Sequence, residues 1–361
     1  MKGLTHFISG VAIASFIPAA TKLANSNIAS SYILVLGGLF GILPDTLDFK
    51  FGQFLSRVDY DIDADPNNPN PQKMAEQIGQ AIDESYATGR YVKVQLYPMR
   101  LGADLWRQYV IKFDNEKNEI VVVINEIVTT SQIPYLGTEP KQNRVGRYTL
   151  KGRMLDPHGR PSVVDIMSGP QFGFRKMEDV VEVEFLPWHR TWSHSFVLGF
   201  FLSIGVWLLA SLVTGWGMGW LYGLVAFLGY AVHIAEDLTG HMGGSLLWPF
   251  QKDRTNGLCL AKANNPHVNF AVDYLAVALL LYNLSRFSPQ PPIKLGMLQY
   301  ILYVLAIPLA AYFAITKLFG EKGEEKKGGE ISAEKALAKE DRIRTEELTY
   351  EVTDFSTGDM Q

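Results

Sequence analysis

His189-Arg190-Thr191-Trp192-Ser193-His194-Ser195 stands where a polar, strand-rich region ends and a long apolar run begins. From Thr191 to Ala235 there is no Asp, Glu, Lys or Arg. The run closes on a second polar cluster, His233-Ile234-Ala235-Glu236-Asp237-Leu238-Thr239-Gly240. Ionisable side chains bracketing an apolar hairpin are costly beside lipid, so they ask for a functional reason.

Working outward, the hairpin itself reads as two membrane segments, Phe196–Val213 and Trp220–Ala235. They turn at Thr214–Trp220, where glycines and tryptophans suit an interface. Upstream, Gly3–Thr21 is uncharged and helix-compatible, with His6 near its start. Leu23–Pro44 is a second uncharged run whose strongly apolar part, Tyr32–Leu43, is short enough for a re-entrant helix. It ends in Leu43-Pro44-Asp45-Thr46-Leu47-Asp48, two carboxylates three residues apart after a proline. Downstream, Gly240–His267 is a polar loop, Val268–Leu284 a fifth segment interrupted by Asp273, and Leu295–Leu318 a sixth. Lys2 and the apolar run ending Pro-Ala-Ala-Thr have the outline of a secretory signal, but one basic residue is a weak lead-in. A role for His6 would require the segment to be retained.

Between the second and third segments the composition changes. Asp59–Asp65 with the following Asn and Pro residues is a polar loop. It fails as an EF-hand, because Ala64 stands where Gly is needed and Asn70 where Glu is needed. Gln72–Thr88 predicts an amphipathic helix stopped by Gly89. Strands are predicted at Tyr91–Tyr97, Gln108–Phe113, Glu119–Val128, Arg147–Met154, Ser162–Met167 and Val180–Phe185, with a hairpin turn at Asp114–Asn118. The expected fold is therefore an all-α membrane bundle of about six transmembrane or re-entrant helices with an inserted soluble α+β domain. The divisions fall at residues 1–48, 49–186, 187–320 and a charged, disordered tail at 321–361.

Charge and cysteine narrow the chemistry. The formal net charge is −4, and residues 321–361 hold 7 basic against 12 acidic side chains, leaving 26 against 25 elsewhere. That balance carries no nucleic-acid signature. A single cysteine, Cys259, excludes an internal disulfide and any cysteine-based zinc cluster, so a metal site must be built from His and carboxylate. If six segments alternate, then His6, Asp45, Asp48, His189, His194, His233 and Asp237 all fall at one membrane face, with the insert, the 240–267 loop and the tail. Lys2, Arg190 and Lys317 favour that face as cytoplasmic, against Lys22, Arg286 and Lys294 opposite.

His233 and Asp237 are four apart and share a helix face, with Glu236 nearby. His189 and His194 suit one site if the first lies on the loop and the second in the first helical turn. Each feature has a plainer explanation: an interfacial histidine, a helix-ending turn with an N-cap, an intramembrane hydrogen bond. Their common face is what favours a site. Histidines mixed with carboxylates suit Zn²⁺, with Mn²⁺ or Fe²⁺ as alternatives, and their number suits two or three ions. His241, His267, Asn269 and Asp273 are second-tier candidates, and His158 reads as surface.

The set Thr5-His6, Leu43–Asp48, His189–Ser195, His233–Thr239 and Trp248-Pro249-Phe250 resembles the membrane-bound, metal-dependent hydrolases of the YdjM type, over about residues 1–50 and 187–320. Its His and Asp pattern is distantly similar to zinc-dependent phospholipase C and the P1-type nucleases. The long insert departs from that family's compact pattern and would roof the active face. The resemblance implies a phosphodiesterase- or phospholipase-like enzyme in the cell membrane, hydrolysing a phosphoester of a lipid or lipid-linked substrate through a metal-activated water. Metal ligands would be His6, Asp45, Asp48, His189, His194, His233 and Asp237. Asp48 or Glu236 would serve as general base and Arg190 would steady a phosphoryl oxygen. Two other classes stay open: a scaffold with a structural metal whose insert or tail binds partners, and an ion-coupled transporter using Asp273.

Overall fold

The computed structural model describes residues 2–55, 57–130, 132–164, 166, 169–186, 189–251, 253–263, 265–319 and 336–338. The chain forms two compact units, Met1–Leu55 with Trp188–Lys322 and Ser56–Pro187 with Gly323–Gln361. The expectation of disorder for the tail lies outside the described residues, save 336–338.

The chain starts with α1 (Gly3–Ser15), α2 (Pro18–Ser26) and α3 (Tyr32–Leu55) of the first unit. Within the second unit come β1 (Tyr60–Ile62), α4 (Pro71–Thr88), β2 (Val92–Leu96), β3 (Met99–Arg100), β4 (Leu105–Asp114) and β5 (Glu119–Thr129). Then follow β6 (Pro134–Tyr135), β7 (Val145–Thr149), β8 (Arg153–Leu155), β9 (Ser162–Val164), β10 (Gln171–Met177) and β11 (Val180–Leu186). The first unit resumes with α5 (Phe196–Thr214), α6 (Trp216–Leu238) and α7 (Pro266–Arg286), and a last helical stretch covers Met297–Leu318.

Among the described residues, five helices are long and apolar enough to cross a membrane, or six if α1 and α2 count as one broken span. That pair is bent by 97°. The uninterrupted helix expected over Gly3–Thr21 thus breaks at Phe16–Ile17, because Pro18 cannot continue the preceding turn. Nearby side chains take up carbonyls at the break: Ser15 Oγ donates to the Ala12 carbonyl and Thr21 Oγ1 to that of Ser15, each at 2.6 Å. The second segment also differs from expectation. It runs on through Pro44, as a 24-residue helix, so Asp45 and Asp48 lie on a helix rather than in a turn. The α5–α6 reversal is tighter than expected and rests on Gly215 alone, at φ 79°.

Glycine sets how closely these helices pack. A Cβ on Gly10 of α1 would overlap the Gly37 carbonyl of α3, and one on Gly41 would overlap the His6 carbonyl. A Cβ on Gly229 of α6 would meet Gly37 as well. Small residues at four-residue spacing let membrane helices touch backbone to backbone. The same four-residue rows continue into polar groups: Gly10 to His6 on α1, Gly37 through Gly41 to Asp45 on α3, and Gly229 through His233 to Asp237 on α6.

The second unit has two sheets. One is ordered β1-β2-β10-β11-β8; the other runs β3-β4-β5-β6, with β7 also on β5 and β9 on β4. The apolar face of α4, with Met74, Ile78 and Ile82, packs with inward residues of both sheets in one core. Asn70 caps α4 and Gly89 ends it at φ 70°. The strand expected over Arg147–Met154 is two strands on different sheets, the chain changing sheet at Leu150–Gly152. β10 escaped sequence reading, since Gly173 interrupts its pattern where the backbone passes Tyr91.

Candidate metal centre

The glycine rows bring His6, Asp45, His233 and Asp237 to one place. The remaining donors come from the chain just before α5, where a 3-10 turn at Trp192–His194 turns His194 inward. Asp48 organises this stretch. Its Oδ2 accepts from the Arg190 amide at 2.8 Å and from His189 Nδ1 at 2.9 Å, and its Oδ1 accepts from Ser193 Oγ at 2.5 Å. Arg190 adopts φ 60°, a left-handed backbone that this amide contact helps to hold. Below it, the Tyr230 hydroxyl of α6 donates to the Ser193 carbonyl.

Four imidazoles share one orientation. His6 Nδ1 meets Glu236 Oε2 at 2.7 Å, His189 Nδ1 meets Asp48, and His233 Nδ1 donates to the Gly41 carbonyl at 2.6 Å. Ser193 Oγ, whose proton goes to Asp48, accepts from His194 Nδ1 at 2.8 Å. With every Nδ1 donating outward, each ring in its neutral form keeps a lone pair on Nε2. These lone pairs converge on two carboxylates. Asp45 Oδ1 lies 3.5 Å from His194 Nε2, 3.6 Å from His233 Nε2 and 3.8 Å from His189 Nε2. Asp237 Oδ2 lies 3.2 Å from His194 Nε2 and 3.4 Å from His233 Nε2, while its Oδ1 is 3.4 Å from His6 Nε2.

Those spacings match a metal's demands. His194 and His233 face each other Nε2 to Nε2 at 3.1 Å, and Asp45, His194, His233 and Asp237 bring donor atoms within 4.8 Å of one another. Tetrahedral zinc with bonds of about 2.0–2.1 Å separates its ligands by roughly 3.3–3.4 Å, close to the edges seen here. His6 Nε2 is buried with no hydrogen-bond partner among the described residues, as a ligand atom would be. Asp48, His189 and His194 form a second cluster within the same limit, but there His194 would have to use Nδ1, which Ser193 already engages. The donor set therefore fits a divalent cation at the first group.

Outer partners hold these ligands, an arrangement that fixes ring tautomer and orientation. Asp48 holds His189 and His194, and Glu236 holds His6. Arg190 spans Asp237 with Nη2 on Oδ1 at 2.9 Å and Nη1 on its carbonyl at 3.2 Å. Asp48, Glu236 and Arg190, expected as base and phosphoryl clamp, thus also hold ligands here, and Arg190 Nε is buried with no hydrogen-bond partner among the described residues. Arg254 donates to the His189 carbonyl at 2.9 Å. Ser193, Tyr230, Arg254 and the Gly41 carbonyl are support that sequence reading missed. Only the hydroxyl of Ser193, inside the HRTWSHS stretch, offered any signal.

Access is one-sided. The side chains of Asp45 and His189 are 21% and 17% exposed, whereas those of His6, His194, His233 and Asp237 are at most 5% exposed. Of the second-tier residues, His267 pairs with Tyr312 on an exposed surface, His241 is exposed, and His158 belongs to the other unit. Asn269 takes a supporting place instead, accepting from the Lys2 amide and Thr5 Oγ1 next to His6.

No curated protein and no solved structure matches the chain. One family model does, beginning inside the second unit and excluding His6, Asp45 and Asp48 while taking in His189, His194, His233 and Asp237. Residues 162–315, less than half of the chain, match the model described as YdjM inner membrane protein.

Proposed function

We propose that this membrane protein is a metal-dependent hydrolase acting on a phosphoester of a lipid or lipid-linked molecule. The convergence of four imidazole Nε2 atoms on Asp45 and Asp237, with Asp45 and His189 partly exposed, carries the assignment. A divalent cation bound there, zinc above all, would lower the pKa of a water toward neutrality and polarise a phosphoryl or acyl oxygen. Asp45, His194, His233 and Asp237 would hold the first ion. His189 on the open side, next to the shared Asp45 oxygen, would help to hold a second. Asp48, Glu236 and Arg190 keep the ligands in place.

A closed structural metal site would leave no side exposed, so the exposure of Asp45 and His189 favours catalysis over the scaffold. A lipid-derived substrate is favoured because His6 lies in the first turn of α1, His194 just before α5 and Asp237 one residue from the end of α6, with Asp45 further in, in the second half of α3. That placement at one face also disfavours a transporter, whose site would sit near the midplane. Lys2, Arg190 and Lys317 support a cytoplasmic orientation of that face.

The test is phospholipid turnover by the purified protein in lipid nanodiscs, with metal content read by elemental analysis. Turnover should vanish with chelator, return with Zn²⁺, and be lost in His189→Ala. Turnover that survives both chelator and substitution, or protein without bound metal, would overturn the assignment.

A further inference from the structure

Sheet residues of the second unit are apolar on both faces. Along β4 and β5, Tyr109, Ile111, Phe113, Ile120, Val122 and Ile124 point to the core with α4. The alternate residues Val110, Val121 and Val123 point the other way, yet each is only 1% exposed. A strand face of valines that no water reaches must be covered. Among the described residues, Val145 of β7, Val163 of β9, and Ala336 and Leu337 beyond the last membrane helix pack against it. Residues Ala336–Ala338 form a helical turn there.

We propose that the C-terminal segment around Leu337 is a docking helix that the chain folds back, in cis, onto the valine face of its own inserted domain. Three independent features support it. The sequence Ala333-Glu-Lys-Ala336-Leu337-Ala338-Lys-Glu340 is made of strong helix formers, and Ala333, Ala336 and Leu337 recur at i, i+3 and i+4, giving one apolar edge. The chain between Phe319 and Ala336 can reach roughly 55 Å when extended, and its Gly, Lys and Glu content suits a solvated linker. Topology agrees as well: four candidate spans separate Phe196 from Leu318, so the tail emerges on the side where the insert rejoins the membrane helices. The alternation of spans thus puts the insert and the start of the tail on one side of the membrane.

Cysteine pairs test this on the full-length chain in membranes, with Cys259→Ser as background. Leu337→Cys is combined in turn with Val110→Cys, Val121→Cys and Val123→Cys and treated with a mild oxidant. At least one pair should cross-link within a chain. Two differently tagged chains mixed in one membrane separate this from exchange between copies. No cross-link in any pair, or cross-links only between tags, would overturn cis docking. Leu337→Asp gives a second reading that does not depend on cysteine geometry. It should speed protease cleavage of the tail roughly three- to tenfold, the population shift expected on exposing one partly buried leucine, with metal content unchanged. Unaltered cleavage would count against the docking.

Discussion

Asp48 shows how one carboxylate can govern the centre from outside the group Asp45, His194, His233 and Asp237. Its two oxygens accept from the Arg190 amide, His189 and Ser193, so it sets the direction of His189 and, through the serine, of His194. Asp48→Asn keeps the shape and removes an acceptor. Metal affinity, measured by competition with a chromophoric chelator, should fall about 10–100-fold, the usual effect of losing an outer partner, with the fold intact. Complete loss of metal would make Asp48 a ligand instead. His194 supplies a pH signature. Burial works to lower its pKa, but hydrogen bonds to Asp237, Asp45 and Asp48 outweigh that and raise it to about 10. A raised value stabilises the folded chain fully below the imidazole's ordinary 6.5, and that stability is lost as pH climbs toward about 10. Chelator-stripped protein should therefore lose thermal stability across that window, while metal affinity rises over it as the imidazole sheds its proton. Flat stability between those limits would show that the carboxylates do not hold a proton on His194. The histidines and aspartates stand out in sequence because ionisable groups beside apolar runs are costly. Their direction does not, because it depends on a backbone carbonyl at Gly41 and a hydroxyl at Ser193.

At the scale of elements, the site depends on the glycine rows of α1, α3 and α6. Gly41 both admits the His6 backbone and offers its carbonyl to His233. Pro44, three residues on, withdraws the N–H that would have bonded the Phe40 carbonyl, one residue before the carbonyl that takes the His233 donor. Gly41→Ala places a methyl against the His6 carbonyl and must push α1 from α3, moving His6 and Asp45 apart. We expect metal content to fall below half of wild type and the thermal midpoint to drop by several degrees, about 1–3 kcal/mol of overpacking. An unchanged metal content would mean the helix contact is not what sets the ligand spacing. Sequence reading found the membrane segments by their missing charge, but it ended the second at Pro44 because proline usually stops a helix. In α3 the apolar sequence on both sides carries the helix through. In the insert, β2 announced itself by alternation and β4 and β5 by runs of β-branched and aromatic residues, whereas β10 did not, its pattern broken by a glycine whose reason is tertiary.

Considered whole, the molecule divides its chemistry between distant parts of the chain. His6, Asp45 and Asp48 precede the inserted domain; His189, His194, His233 and Asp237 follow it. The alternation of charge-free and charged stretches made that division legible, whereas the packing of the tail on the insert was not, since a charged run with few large apolar residues reads as solvated. The separation has a consequence in time. Asp48 and its partner His189 are 141 residues apart. At roughly 5–20 residues per second a ribosome needs about 7–28 s to make that interval. Through it α1 and α3 exist with their acids and histidine but without the partners that neutralise them. Asp48 is thus made without His189, Arg190 and Ser193, the groups it binds, and the ribosome's progress through the insert sets how long it waits for them.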